Sequence, residues 1–176
     1  MKKIVLLYWG KGGNVERVAK KMFAMFNPEL TDMYDVASFN VDTIESYDLV
    51  ILGGSTIGAD HWKEASSDNV WASFFRKLEE HDLTGKSMAL FGLGDQVLYP
   101  DHFVDDLGVL KEEAETVHAN VIGSWPTTGY TFTNSDGAEN DMFYGLAIDE
   151  DNQPELTDER VKQWTDFIKD ALGIED

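Results

Sequence analysis

Four short, nearly unbroken apolar runs punctuate the chain: Ile4 to Trp9, Leu49 to Gly53, Met88 to Gly92, and Val121 to Trp125. Runs without polar alternation are what strands covered on both faces look like. Between them apolar residues recur at intervals of three and four, the helical spacing. Val15, Val18, Ala19, Met22, Phe23 and Phe26 form one such stripe, and Trp71, Phe74, Phe75 and Leu78 a second. Phe103, Leu107, Leu110 and Ala114 form a third, and Val161, Trp164, Phe167, Ile168 and Leu172 a fourth. A weaker segment, Glu29 to Val36, supplies one more strand. Strands alternating with helices predict parallel pairing through right-handed crossovers, hence a three-layer α/β fold on a five-stranded doubly wound sheet. From Pro126 to Pro154 the pattern turns Thr/Tyr/Phe-rich with no helical period, and β-like material falls in Gly129 to Phe132 and Met142 to Ile148. This predicts an insertion between the fifth strand and the last helix, a small antiparallel excursion. Nothing marks a second domain or a repeat, so one domain over residues 1–176 is expected.

Charge narrows the partners. Lys and Arg number 14 against 33 Asp and Glu, a formal net charge of −19. A chain this acidic is repelled by phosphate backbones and anionic lipid surfaces, so nucleic acid is excluded and basic partners are favoured. There are no cysteines, which removes disulfides, thiol catalysis and iron–sulfur ligation; any redox chemistry needs a bound cofactor. The first apolar run is too short for a signal segment, and none approaches the roughly 20 apolar residues that span a bilayer. A soluble, cytoplasmic protein without membrane insertion is the reading. Charge is also uneven along the chain. Residues 1–21 hold six Lys and Arg (Lys2, Lys3, Lys11, Arg17, Lys20 and Lys21) and one Glu, whereas residues 134–159 are acidic without a Lys or Arg. Either this is solubility with an acidic loop, or the basic helix lies near an anionic ligand while the acidic side faces a cationic partner.

In open parallel sheets, ligands bind beyond the carboxyl ends of the strands. The loop after the first strand is Gly10-Lys11-Gly12-Gly13-Asn14, immediately before a helix. Its glycines let several N–H groups converge, and the helix N-terminus adds a positive end, so a phosphate can sit there. The competing reading is a tight strand-to-helix turn with no ligand. The loop is neither a Walker A sequence nor a clean GxGxxG. The loop after the third strand, Gly54-Ser55-Thr56-Ile57-Gly58-Ala59-Asp60-His61-Trp62, offers hydroxyls and then an aromatic. That after the fourth strand runs Gly94-Asp95-Gln96-Val97-Leu98-Tyr99. A Tyr so placed is poorly explained as core.

Two stretches, Phe91 to Leu110 (FGLGDQVLYPDHFVDDLGVL) and Gly145 to Trp164 (GLAIDEDNQPELTDERVKQW), resemble long-chain flavodoxins, and the likeness extends over essentially the whole chain. The resemblance, not the spacing, implies a flavodoxin-like sheet of order 2-1-3-4-5 with FMN at its switch point. It likewise implies a low-potential carrier of single electrons, in a monomer, between a reductase and an acceptor with basic faces. By position, Trp9, Gly10, Lys11, Gly12, Gly13, Asn14 and Val15 become the phosphate loop, and Ser55, Thr56, Ile57, Gly58 and Trp62 the second flavin loop. Tyr99 becomes the aromatic stacked on one flavin face. Gly92, Leu93, Gly94 and Asp95 would line the pyrimidine edge, with His102 beside them.

Two departures stand out. The family's Ser/Thr-x-Thr-Gly-x-Thr pattern reads here Gly10, Gly12 and Val15 at its hydroxyl positions, so those hydroxyl donors are gone and the main-chain donors remain, with Lys11, Asn14 or Ser55 left to compensate. Where the family commonly places a Trp against the second flavin face, this chain has Ile57. Either Ile57 covers that face, or Trp62 folds back over it, or Trp62 packs on the next helix. Two other readings stay open: a flavodoxin-shaped module that has lost FMN, and a small flavin oxidoreductase using NAD(P)H or quinone, for which no second nucleotide motif is visible. The histidines show no metal-site spacing, and Asp149, Glu150 and Asp151 read as a solvated acidic loop.

Overall fold

The computed structural model describes residues 1–10, 12–55 and 69–175. Its main sheet contains β1 (Ile4–Tyr8), β2 (Thr31–Asp35), β3 (Leu49–Gly54), β4 (Ser87–Leu93) and β5 (Asn120–Ile122), in the order β2-β1-β3-β4-β5 with every pair parallel. Helices α1 (Asn14–Phe23), α2 (Val70–Leu78), α3 (Asp106–Thr116) and α4 (Thr157–Leu172) cover it. The expected three-layer α/β architecture is present.

The unbroken apolar runs are explained by burial on both faces. Within β1 and β3, Val5, Leu7, Val50 and Leu52 pack with Trp71, Phe75 and Leu107 on one side. Their neighbours Ile4, Leu6 and Ile51 pack with Val18, Met22, Val161 and Trp164 on the other. Period-two alternation is still there; both faces simply demand apolar side chains. Local signals set the helix ends. The Asn69 side chain accepts from the Ala72 N–H at 3.1 Å and caps α2, and α4 stops at Gly173 in the left-handed conformation, φ 62°.

The insertion lies elsewhere than the sequence suggests. β5 pairs with Ser87 to Ala89 of β4, and a further strand, which closes the insertion, pairs with Phe91 to Leu93. Residues 123–145 therefore interrupt the fifth strand position rather than follow it. Val121 to Trp125 is not one strand, because Gly123 turns the chain at φ 83°. There the Trp164 indole N–H donates to the Gly123 carbonyl at 2.7 Å, pinning the exit to α4. Trp125 instead opens β6 (Trp125–Pro126), which forms a small antiparallel sheet with β7 (Ala138–Glu139) and β8 (Met142–Phe143) in the order β6-β8-β7. Asn140 and Asp141, both at positive φ, make the two-residue turn between β7 and β8, which suits a type I′ hairpin. β9 (Leu146–Ile148) then rejoins the main sheet. Gly129 to Phe132 is not a strand. Its Tyr130 and Phe132 rings pack around Phe103 and Phe143 as an aromatic cluster. Arg160 stacks 4.0 Å from the Tyr130 ring centre, and burial pushes the Tyr130 phenol up to about 12.

Candidate functional site

Residues beyond the ends of β1, β4 and β9, together with Ser55 just after β3, meet at one end of the sheet and border a groove of about 1780 Å³. A pocket holding one small molecule is usually ~300–1,000 Å³, so this groove has room for a ligand and more. At one end stand Gly10, Gly13, Asn14, Val15, Ser55, Leu93, Gly94, Asp95, Tyr99 and His102. The other end runs along α3 and the insertion past Asp105, Asp106, Glu112, Asp136 and Glu139, with Glu150 and Asp151 also on its border. Among the described residues that line it, none is Lys or Arg.

The β1–α1 loop is built for an anion. Gly13 is the N-cap of α1 and supplies no side-chain cap, so the first amides of the helix are left for another acceptor. The Gly12 N–H already donates to a carboxylate oxygen, Glu16 Oε2, at 2.6 Å. That contact, the largest influence on it, holds the Glu16 carboxyl below its usual range. The oxygen stands where a bound oxyanion such as a phosphate could take over the donor. Loss of the family's first hydroxyl has a steric reason: Gly10 sits at φ 128°, and a Cβ there would lie 3.0 Å from the Val15 Cβ. The contact is with the Cβ of residue 15, which a Thr would place identically, so in this backbone position 10 takes no side chain whether residue 15 is Val or Thr. Gly12, at φ 75°, faces open space and is required for its conformation alone.

The β4 loop is held from beneath. Asp95 Oδ1 accepts from the N–H groups of Val97 and Leu98 at 3.0 and 2.9 Å and from Asn152 Nδ2 at 2.8 Å. The Leu98 amide leads the effects that keep the Asp95 carboxyl below its ordinary range. Gln96, 3% exposed, turns inward. Its N–H and Nε2 donate to Asp149 Oδ2 at 3.1 and 2.8 Å, while its side-chain oxygen Oε1 accepts from the Thr131 N–H in the insertion. Asp149 itself is fully buried and also accepts from the N–H groups of Asp151 and Asn152 at 3.1 and 3.0 Å. Reading Asp149 as part of a solvated acidic loop is therefore wrong: its carboxylate is the post on which loop, insertion and β9 are hung. Tyr99 stands out from this base, 62% exposed at the groove.

Other expected residues fall in several places. Trp9 is half-buried against the core and, like Gly12, does not line the groove. Gly92 lies inside β4, where a Cβ would come 3.1 Å from Leu107, so it serves helix packing. His102 is exposed at the groove and pairs with Asp105 Oδ2 at 2.9 Å; this bond chiefly, with the carboxylate's charge, raises the imidazole above its usual range. Lys11, Thr56, Ile57, Gly58 and Trp62 lie outside the described residues, as does His61. Asp149, Gln96, Asn152 and Glu16 were not legible as site residues, since each acts through a partner distant in sequence or through a loop amide. No group of His, Asp and Glu among the described residues is arranged to hold a metal ion, and no described helix is long and apolar enough to cross a membrane.

A parallel sheet ordered β2-β1-β3-β4-β5, with an anion-ready glycine loop at the reversal of strand order and an aromatic across from it, defines a doubly wound α/β protein with its site at the switch point. The Flavodoxin family model matches residues 6–164. The chain is 41% identical over 175 residues to a flavodoxin of Klebsiella pneumoniae, covering 98% of this chain and 97% of the relative. It is 37% identical over 175 residues to a flavodoxin of Picosynechococcus, covering 99% and 100% respectively. Among solved structures, the Fusobacterium nucleatum flavodoxin bound to flavin mononucleotide matches with a TM-score of 0.84 at 29% identity, over 97% of this chain and 99% of that one. The chain belongs to the flavodoxin family.

Proposed function

We propose that this protein, as a single domain of the long-chain type, binds FMN in the groove and carries single electrons at low potential between redox proteins. The observation that carries this reading is the β1–α1 loop: an N-terminus without a side-chain cap, whose Gly12 N–H is already engaged by a carboxylate oxygen. Gly10, Lys11, Gly12, Gly13, Asn14 and Val15 would hold the phosphate. Tyr99, Leu93, Gly94 and Asp95 would hold the ring, with Ser55, Thr56, Ile57, Gly58 and Trp62 on its other side. When bound, FMN supplies the redox chemistry. What the protein adds is a negative surround. Asp95, Asp105, Asp136, Glu150 and Asp151 border the groove. One unit charge ~10 Å away opposes an added electron by about 0.4 kcal/mol at water-like dielectric, roughly 20 mV, before salt screens it. Several together lower the potential appreciably, and the same field draws basic partners, mainly through on-rate. The partners are thus a reductase and an acceptor with basic faces, met by a monomeric carrier in the cytoplasm.

The test is an anaerobic reductive titration of the FMN-loaded protein. Two resolved one-electron steps, together with negligible steady-state turnover of NADPH, are expected. A single two-electron step with rapid NADPH turnover would favour an oxidoreductase instead.

A further inference from the structure

Cations are scarce around the groove. Among the described residues that line it, His102 is the one side chain able to carry a positive charge. It is held in place. Asp105 Oδ2 lies 2.9 Å from His102 Nδ1, and Asp105 Oδ1 accepts from the Asp136 N–H at 2.8 Å, so the insertion fixes the carboxylate that fixes the imidazole. A carboxylate at that distance can only accept. The hydrogen therefore sits on Nδ1, and Nε2 is the atom that gains or loses the titrating proton. Nε2 has no hydrogen-bond partner among the described residues, and the side chain is 75% exposed, open to water for proton exchange. The Asp105 bond first, then the charges of Asp105, Asp101 and Asp136, raise the imidazole above its ordinary value.

We propose that His102 takes up a proton at Nε2 when the bound flavin gains its last electron, offsetting part of the negative charge that the acids of the groove oppose. This rests on the carrier reading, which supplies the flavin and the electron. The balance is simple: one electron passes from the reductase to FMN, one proton passes from water to Nε2, and N–H is the bond formed on the protein. The titratable groups around the imidazole are Tyr99 and Asp101 on its own loop, Asp105 and Asp106 at the start of α3, and Asp136 on the insertion. Asp95, Glu150 and Asp151 border the same groove. All of these stand in both redox states; the charge that changes is the flavin's. An added negative charge favours imidazolium, so His102 keeps its proton to higher pH in the reduced protein than in the oxidised one. By linkage, the potential of that step is raised below the oxidised-state midpoint, falls as pH rises between the two midpoints, and is free of His102 above both. An exposed group feels the change through water, where one charge ~4–10 Å away moves the midpoint by about 0.3–0.8 pH.

The experiment is an NMR pH titration of the FMN-loaded protein carrying isotope-labelled histidine, first oxidised and then fully reduced with dithionite. The signal lost in His102→Gln assigns the residue. The expected result is a His102 midpoint about 0.3–0.8 pH higher in the reduced protein. His81 and His118 stay put, being on the segments that enter β4 and β5 at the far end of the sheet. A redox titration from about pH 5 to about pH 9 gives a second readout. His102→Gln matches the wild type at the alkaline end and lies below it at the acid end, His102→Lys stays above His102→Gln throughout, and Asp105→Asn lowers the imidazole midpoint in both redox states. The same His102 midpoint in oxidised and reduced protein, or a His102→Gln potential that follows the wild type at every pH, would overturn the proposal. Flavin absorbance of the same samples separates the two readings: a chain that holds FMN beside an unmoved imidazole sinks this proposal alone, and a chain that takes up no FMN sinks the carrier with it.

Discussion

Replacing Asp149 by Ala tests whether the β4 loop is held by a buried carboxylate. The side chain is fully buried, and its oxygens accept from Gln96 N, Gln96 Nε2, Asp151 N, Asn152 N and Asn152 Nδ2. Asp151 and Asn152 are exposed, so their donors can turn to water once the carboxylate is gone. Gln96 cannot, being 3% exposed. Two buried donors left without a partner cost about 1–3 kcal/mol each. Removing a buried charge returns part of that by sparing its desolvation, which leaves a net loss of about 2–4 kcal/mol. For a chain of this size each kcal/mol lowers Tm by about 2–4 °C, so a drop of roughly 5–15 °C is expected, with about half of it in Asp149→Asn, which retains one acceptor. Equilibrium urea unfolding gives the free energy, and amide hydrogen exchange at Gln96 and Thr131 shows whether the loop and the insertion are freed together. A change under about 0.5 kcal/mol in Asp149→Ala, the size of an ordinary surface substitution, would refute the clamp.

Asp106, at the start of α3, has an enclosed Oδ2 without a hydrogen-bond partner, and burial first, then the neighbouring Asp105 charge, raises its carboxyl well above the usual value. A carboxyl raised in the folded state contributes stability that is complete below the ordinary carboxylate range and is lost as pH rises through the raised value. Asp106→Asn should therefore raise Tm at neutral pH, with the gain vanishing in acid; a pH-independent loss would show that the carboxyl is not strained. Glu16→Gln should tighten FMN several-fold at low salt and less at high salt, because it removes a negative charge that competes for the Gly12 amide. Fluorescence titration beside riboflavin, which lacks the phosphate, checks this, since an equal change for both flavins would place Glu16's effect elsewhere.

The fold was legible where burial alone decides the pattern. The runs around Val5, Val50 and Leu90 are apolar on both faces because both faces are covered, and the stripes through Val18, Phe75, Leu107 and Trp164 mark the helices that cover them. What could not be read is register. Leu146 to Ile148 returns to Phe91 to Leu93 across a chain excursion of 23 residues, 123–145, and nothing local in that tripeptide says which strand it will join. The start of α3 was also hidden, because Phe103 stands on the apolar stripe although the helix begins only at Asp106 and the intervening Val104 sits at φ 51°, outside helical geometry. At the site, Tyr99 and the glycine loop announced themselves by composition. Asp149 did not. In sequence it is one acid among neighbours, and only the meeting of β9 with the β4 loop converts it from a solvated charge into a buried acceptor.

The central claim is that main-chain amides at the turn from Gly10 to Val15 retain a phosphate without neighbouring hydroxyls. Parallel titration of the apoprotein with FMN and with riboflavin measures this. The account predicts one FMN taken up per chain with its fluorescence quenched, and riboflavin bound at least about a hundredfold more weakly, the worth of one or two charge-assisted hydrogen bonds. Equal affinity for the two flavins, or no uptake of FMN, would contradict it.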